Sequence, residues 1–129
     1  HAFSGVAGHA GLFSNAVNLK TLLNLLIHRG VHDGKRYLKN ETVELFWNSH
    51  EKPLGWQKSE KSGGVIFSHS GFTGTFVAGV PKEKLTIVLL TNRQNNGLRI
   101  DGYYEGMTLL EEEFLQILTS GFSTSNDYK

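Results

Sequence analysis

Between residues 16 and 30 the apolar positions recur every three or four residues, at Leu19, Leu22, Leu23, Leu26 and Ile27. That spacing predicts an amphipathic helix with one buried face, capped by Ser14 or Asn15 and ended by Gly30. Val31-His32-Asp33-Gly34-Lys35 then reads as a turn with Asp-Gly at its tip. A second helix follows, with Asn40 as N-cap, Glu41 and Glu44 in its first turn, and Val43, Phe46 and Trp47 as an apolar stripe. The tract from Asn48 to Gly64 is hydrophilic except for Leu54-Gly55-Trp56, a short strand inside a solvated loop. From Val65 the period becomes that of strands. Val65 to His69 and Thr75 to Val80 alternate, and Leu85 to Thr91 is almost continuously apolar, which predicts a central strand covered on both faces. Pro81-Lys82-Glu83-Lys84 is a charged hairpin connection. After a polar, glycine-bearing tract, Met107, Leu110, Phe114, Ile117 and Leu118 predict a helix packed across the sheet, with Glu111, Glu112 and Glu113 turned mostly to solvent. The tail from Gly121 reads as frayed. The fold class expected is α+β: three antiparallel strands between about 65 and 92, a C-terminal helix on them, and two helices N-terminal. Residues 1–53 form the helical segment and 54–129 the sheet and last helix.

Composition narrows the function. A length of 129 residues fits one region. With 13 basic and 12 acidic residues, the net charge of +1 gives no field to attract nucleic acid or an anionic membrane. The absence of cysteine removes disulfides, thiolate metal sites and a cysteine nucleophile together. No apolar run is long enough to span a bilayer, and no signal peptide is visible. The chain opens at His1 in mid-pattern and its only methionine is Met107, as expected of a piece of something longer.

The candidate chemistry lies at Ser68-His69-Ser70-Gly71-Phe72-Thr73-Gly74-Thr75. Two strand-like runs flank it, so it reads as a hairpin turning tightly at Thr73-Gly74, with a hydroxyl and an imidazole at its corner. Gly71 admits a close approach of backbone or ligand. The alternative is an ordinary hairpin in which Ser70 and Thr73 satisfy turn geometry. Elsewhere the signals fail. Glycines 5, 8 and 11 precede a helix, but no Gly-Lys-Ser/Thr follows and the spacing is not that of a dinucleotide fingerprint. His28 and His32 are four apart, yet Gly30 lies between them and no third ligand is apparent.

Taken together, several strings are similar to one family. His69-Ser70-Gly71 with Phe72-Thr73-Gly74, a strand ending in Val80-Pro81, a strand ending in Leu90-Thr91-Asn92-Arg93, and a last helix resemble the C-terminal part of serine β-lactamase-like proteins. These include class C β-lactamases, penicillin-binding DD-peptidases and related esterases. Gly8-His9-Ala10-Gly11-Leu12-Phe13-Ser14, Gly34-Lys35-Arg36 and Leu54-Gly55-Trp56 resemble the preceding segments, in the same order, so the likeness covers nearly the whole chain.

That resemblance implies a partial β-lactamase/transpeptidase-like fold and a serine hydrolase that forms an acyl-enzyme on a β-lactam, a cell-wall peptide or an ester. Of the three motifs such chemistry needs, only the Lys/His-Ser/Thr-Gly strand is present. The Ser-x-x-Lys helix and the Tyr-x-Asn loop belong upstream, so the chain alone is expected to be inactive. Ser49-His50-Glu51-Lys52 fits Ser-x-x-Lys literally but runs into Pro53 and falls in the wrong order, and Tyr37-Leu38-Lys39-Asn40 has one residue too many. By position, the resemblance gives His69 the support of the tyrosine, Ser70 a hydrogen bond to substrate, often to a carboxylate, and the Phe72 N–H one oxyanion-hole donor. Gly71, Thr73 and Arg93 stand where substrate would bind, and Gly71 is expected to clear the approach. His9 reads as a packing residue, and Asn92 and Arg99 as strand-end polar groups. No cofactor or metal is expected. The partner is a small-molecule or peptide substrate with an acyl group. The outer edge of strand 85–91 should be filled by the missing N-terminal part or a second copy. The family leans towards the bacterial envelope. Two other readings stay open: a non-catalytic module that binds cell-wall peptide or a protein partner, and a structural α+β domain.

Overall fold

The computed structural model describes residues 11–47, 54–61 and 64–120. Gly5, Gly8 and His9, the Ser49–Lys52 string and the tail from Gly121 lie outside the described residues.

Helix α1 spans Ala16–Ile27, and the Asn15 side chain caps it by accepting from the Asn18 N–H at 3.0 Å. Leu23, Leu26 and Ile27 are buried, whereas Leu22 of the expected apolar face is half exposed. The helix stops through a Schellman arrangement. The Arg29 N–H donates to the Leu26 carbonyl at 3.0 Å and the Gly30 N–H to the Leu25 carbonyl at 2.8 Å. The left-handed position is therefore taken by Arg29 (φ 53°), one residue before the glycine expected to end the helix. Arg29 is held there by Glu44 and by the Asn40 side chain at 3.3 Å. Gly30 is itself at φ 85°, and a Cβ on it would lie 2.2 Å from the Leu38 carbonyl oxygen. Gly34 has a similar φ of 74° and nothing within 4 Å. Gly30→Ala is thus expected to cost about 2–3 kcal/mol and Gly34→Ala about 1, because only the first adds a backbone collision to the left-handed strain. Urea melts of the two variants check the difference.

Asp33 (φ 48°) and Gly34 make a two-residue turn with both φ values positive, joining β1 (Val31–His32) to β2 (Lys35–Arg36). Helix α2 covers Asn40–Trp47. Its first bond runs from the Val43 N–H to the Lys39 carbonyl at 3.2 Å, so Lys39 provides the cap carbonyl and Asn40, expected as N-cap, is the first helical residue.

The main sheet has four antiparallel strands in the order β3 (Gln57–Lys61), β4 (Gly64–Ser70), β5 (Thr75–Val80) and β6 (Leu85–Leu90). Three match the strand-period runs. The fourth, β3, falls on Gln-Lys-Ser-Glu-Lys, where no apolar alternation marks it. It pairs through its backbone, Lys58 opposite Phe67 and Glu60 opposite Val65, and its charges suit an edge. Leu54-Gly55-Trp56, expected as a short strand, instead turns the chain into β3 with Gly55 at φ 74°. Strand β6 is covered on both faces as expected, but it is the last strand of the sheet rather than a central one among the described residues.

Strand alternation sends side chains to two cores. Phe67, with the half-buried Val65, Val77 and Val88, faces α1 and α2. Ile66, Phe76, Ala78, Val80 and Ile87 face α3 (Thr108–Ser120) through Leu115. On α3 the buried line passes through Glu111 and Leu115, with Met107, Phe114 and Leu118 half buried beside it. Leu110 and Ile117, expected on that face, are 44% and 62% exposed. Glu111, expected in solvent, is 9% exposed, while Glu112 and Glu113 do face out. No helix among the described residues is long and apolar enough to cross a membrane.

Candidate active site

The segment after β4 is a three-residue hairpin loop. The Gly71 N–H donates to the Thr75 carbonyl at 2.6 Å, and the Gly74 N–H to the Gly71 carbonyl at 3.0 Å. Phe72 and Thr73 are the central residues, and neither is among the residues with positive φ, so the turn is of type I. Gly74 follows at φ 99°, the position that lets the chain rejoin β5. The turn is therefore centred on Phe72-Thr73, one residue earlier than the pattern predicts. A Cβ at Gly71 would lie 2.1 Å from the Thr75 hydroxyl, and one at Gly74 would lie 2.7 Å from the Thr91 hydroxyl. Both glycines thus answer to contacts inside the protein, in addition to any approach from outside.

Arg93 braces this turn from the end of β6. Its backbone N–H donates to the Thr73 carbonyl at 3.0 Å. Its Nε donates to the Phe72 carbonyl at 2.5 Å, and its Nη1 to the Glu105 carbonyl at 3.2 Å. The guanidinium carbon lies 4.6 Å from the Phe72 ring centre and 5.9 Å from that of Tyr104, and these rings meet edge to face at 5.8 Å. The Thr91 hydroxyl donates to the Gly74 carbonyl. Neighbouring polar groups are also engaged. Asn92 accepts from the Gln94 N–H at 3.2 Å, and Arg99 pairs with Asp101 and Glu105 at 3.3 and 3.5 Å.

His69 and Ser70 leave β4 on opposite faces. His69 is exposed on the α1 side, opposite Val77. Ser70 is half buried on the α3 side, and its hydroxyl donates to Glu111 Oε2 at 2.8 Å. The structure thus brings Ser70, Gly71, Phe72, Thr73 and Arg93 together around one turn, with His69 across the strand from Ser70. Glu111 and Tyr104 join them without having been singled out from sequence. The signal for Glu111 was its place four residues after Met107 and four before Leu115, on one helical face. Chemically, the strand end offers a fixed edge on which an extended acyl chain can align, and the Phe72 N–H, which has no acceptor among the described residues, can serve an oxyanion. Among the described residues no three His, Cys, Asp or Glu side chains gather so as to hold a metal ion; His28 is the last-turn cap of α1, and His32 lies 3.5 Å from Asp33.

Comparison with known proteins places the chain among relatives of known family. The N-acetylmuramyl-L-alanine amidase of Bacillus subtilis (strain 168) is 29% identical over 109 residues, which are 74% of this chain and 25% of the relative. A putative D-alanyl-D-alanine carboxypeptidase of Escherichia coli (strain K12) is 29% identical over 110 residues, again 74% of this chain and 25% of the relative. One from Salmonella typhi is 28% identical over 110 residues, 74% of this chain and 26% of that protein. The chain spans about a quarter of the length of these curated relatives. The β-lactamase family model matches residues 1–107, which include the hairpin, its bracing arginine and the strands that carry them, and the chain belongs to that family.

Proposed function

We propose that this chain is the C-terminal part of a larger domain in a serine hydrolase that acts through an acyl-enzyme on an ester or amide. The observation that carries the reading is the braced type I turn at the end of β4, which holds the Phe72 N–H at the close of a His-Ser-Gly strand. A serine supplied from outside this chain attacks the acyl carbonyl. The Phe72 N–H and the nucleophile's own N–H stabilise the oxyanion, and water then releases the acyl group. His69 and Ser70 line the strand on which the acyl chain aligns. The rest of the domain pairs with the outer edge of β6, which has no strand beside it among the described residues. The relatives are named an amidase and carboxypeptidases, and an amide or peptide bond is the corresponding proposal for the substrate.

The test is an intact mass spectrum before and after incubation with a serine-directed fluorophosphonate. A protein that contains this chain and exceeds 14.3 kDa is expected to gain one probe mass, and the 129-residue chain alone to gain none. A longer protein that gains nothing overturns the hydrolase and favours a non-catalytic binding module.

A further inference from the structure

We propose that Glu111 sets the substrate class of this site, turning the His-Ser-Gly strand away from substrates recognised through a carboxylate and towards neutral acyl groups. This rests on the acyl-enzyme reading above. A serine hydroxyl has one proton to donate. That of Ser70 is directed to Glu111 Oε2 at 2.8 Å, on a residue only 9% exposed and held on the face of α3 that packs on the sheet. Ser70 therefore presents lone pairs, not a proton, to anything lying along the strand. A substrate carboxylate, which can only accept, finds no donor there and meets the like charge of Glu111 just behind the hydroxyl. An amide N–H or a hydroxyl of the substrate can instead donate to Ser70.

Arg93, the cation at this turn, is fixed in place by the turn itself. Its Nε and Nη1 serve the Phe72 and Glu105 carbonyls, and its face lies against Phe72 and Tyr104. His69 lies on the opposite face of β4 from Ser70 and Glu111. The Ser70–Glu111 hydrogen bond thus withholds, on the strand itself, the donor that carboxylate recognition there requires. Glu111 acts through Ser70 and is a positioning residue.

The experiment compares kcat/KM for two p-nitrophenyl esters in the protein that contains this chain, a butyrate and a glutarate half-ester carrying a free carboxylate. The wild type is expected to prefer the butyrate by about tenfold or more, the scale of discrimination when a buried polar group cannot be paired. Glu111→Gln removes the charge and can leave the Ser70 proton free, and it is expected to bring the ratio to within about threefold of unity. Glu111→Asp retains the charge and the preference. A merely structural lesion lowers both rates and leaves their ratio where it was. A wild type that prefers the glutarate, or a ratio that Glu111→Gln does not move, overturns the assignment alone. The wild-type ratio needs no variant, so misfolding of Glu111→Gln does not shield the proposal. Turnover of neither ester by the wild type overturns the acyl-enzyme reading and the assignment with it.

Discussion

Replacing Phe67 by alanine is expected to remove about 3–5 kcal/mol of stability, enough to unfold a marginal domain. Phe67 has no exposed surface. Its ring is stacked on Trp47 at 5.3 Å and meets the edge of Trp56 at 5.0 Å. Across the β4–β5 pair it faces Gly79, where a Cβ would come within 2.2 Å of the ring. The ring fills the space that the glycine leaves, and two indoles close it in, so truncation opens a cavity that cannot collapse. The reverse change probes the same contact. Gly79→Val forces the ring against Trp47 and Trp56 and is expected to cost at least about 3 kcal/mol. Urea denaturation of both variants measures this. Loss of less than about 1 kcal/mol in each would show that the ring is not the centre of the α1 and α2 face.

The largest effect on chemistry is expected from Phe72→Pro. Phe72 is the first central residue of a type I turn, the position at which proline's fixed φ is already accommodated. Among the described residues its N–H has no acceptor, so the substitution removes a single donor without breaking a bond that holds the fold. If that N–H stabilises the oxyanion, acylation by a neutral ester should slow by about 10²–10³-fold. Phe72→Ala keeps the N–H and loses the ring that lies against Arg93, and should slow it by less than about tenfold. The comparison separates the backbone donor from the side chain. Equal rates for the two variants would remove Phe72 from the oxyanion site. Thermal melts within a few degrees of each other would show that the turn itself survived.

Much of this arrangement was legible along the chain. The leucine repeat located α1, the change of period at Val65 located three strands, and Asp33-Gly34 located the first hairpin. Each depends on a signal confined to neighbouring residues: a helical stripe, an alternation, a turn dipeptide. The same signals misplace elements by one residue where two residues can share a task. Arg29 takes the left-handed position next to Gly30 because Asn40 and Glu44 hold its side chain, and both belong to the next helix. The hairpin centres on Phe72-Thr73 rather than Thr73-Gly74 because Gly74 is needed at positive φ after the turn.

Strand β3 and Glu111 show where local pattern stops. Gln-Lys-Ser-Glu-Lys has no apolar face to read, and it becomes a strand only because β4 offers it a ladder of backbone partners. A glutamate on a helix is assigned to solvent by its charge. On α3 it lies beside Leu115 on the face that the sheet covers, and Ser70, 41 residues earlier, supplies the hydrogen bond that makes its burial tolerable. Arg93 likewise looks like a solvated strand end until the turn's carbonyls and two aromatic rings close around it. The helices, three of the four strands of the main sheet, most boundaries and the His-Ser-Gly strand follow from the order of residues, since propensity and periodicity act over a few positions. Which polar groups spend their hydrogen bonds on one another, and so which remain for a substrate, is settled only when distant segments meet. A donor's partner is a matter of position in space, and the free energy of leaving a buried charge unpaired selects the packing that pairs it.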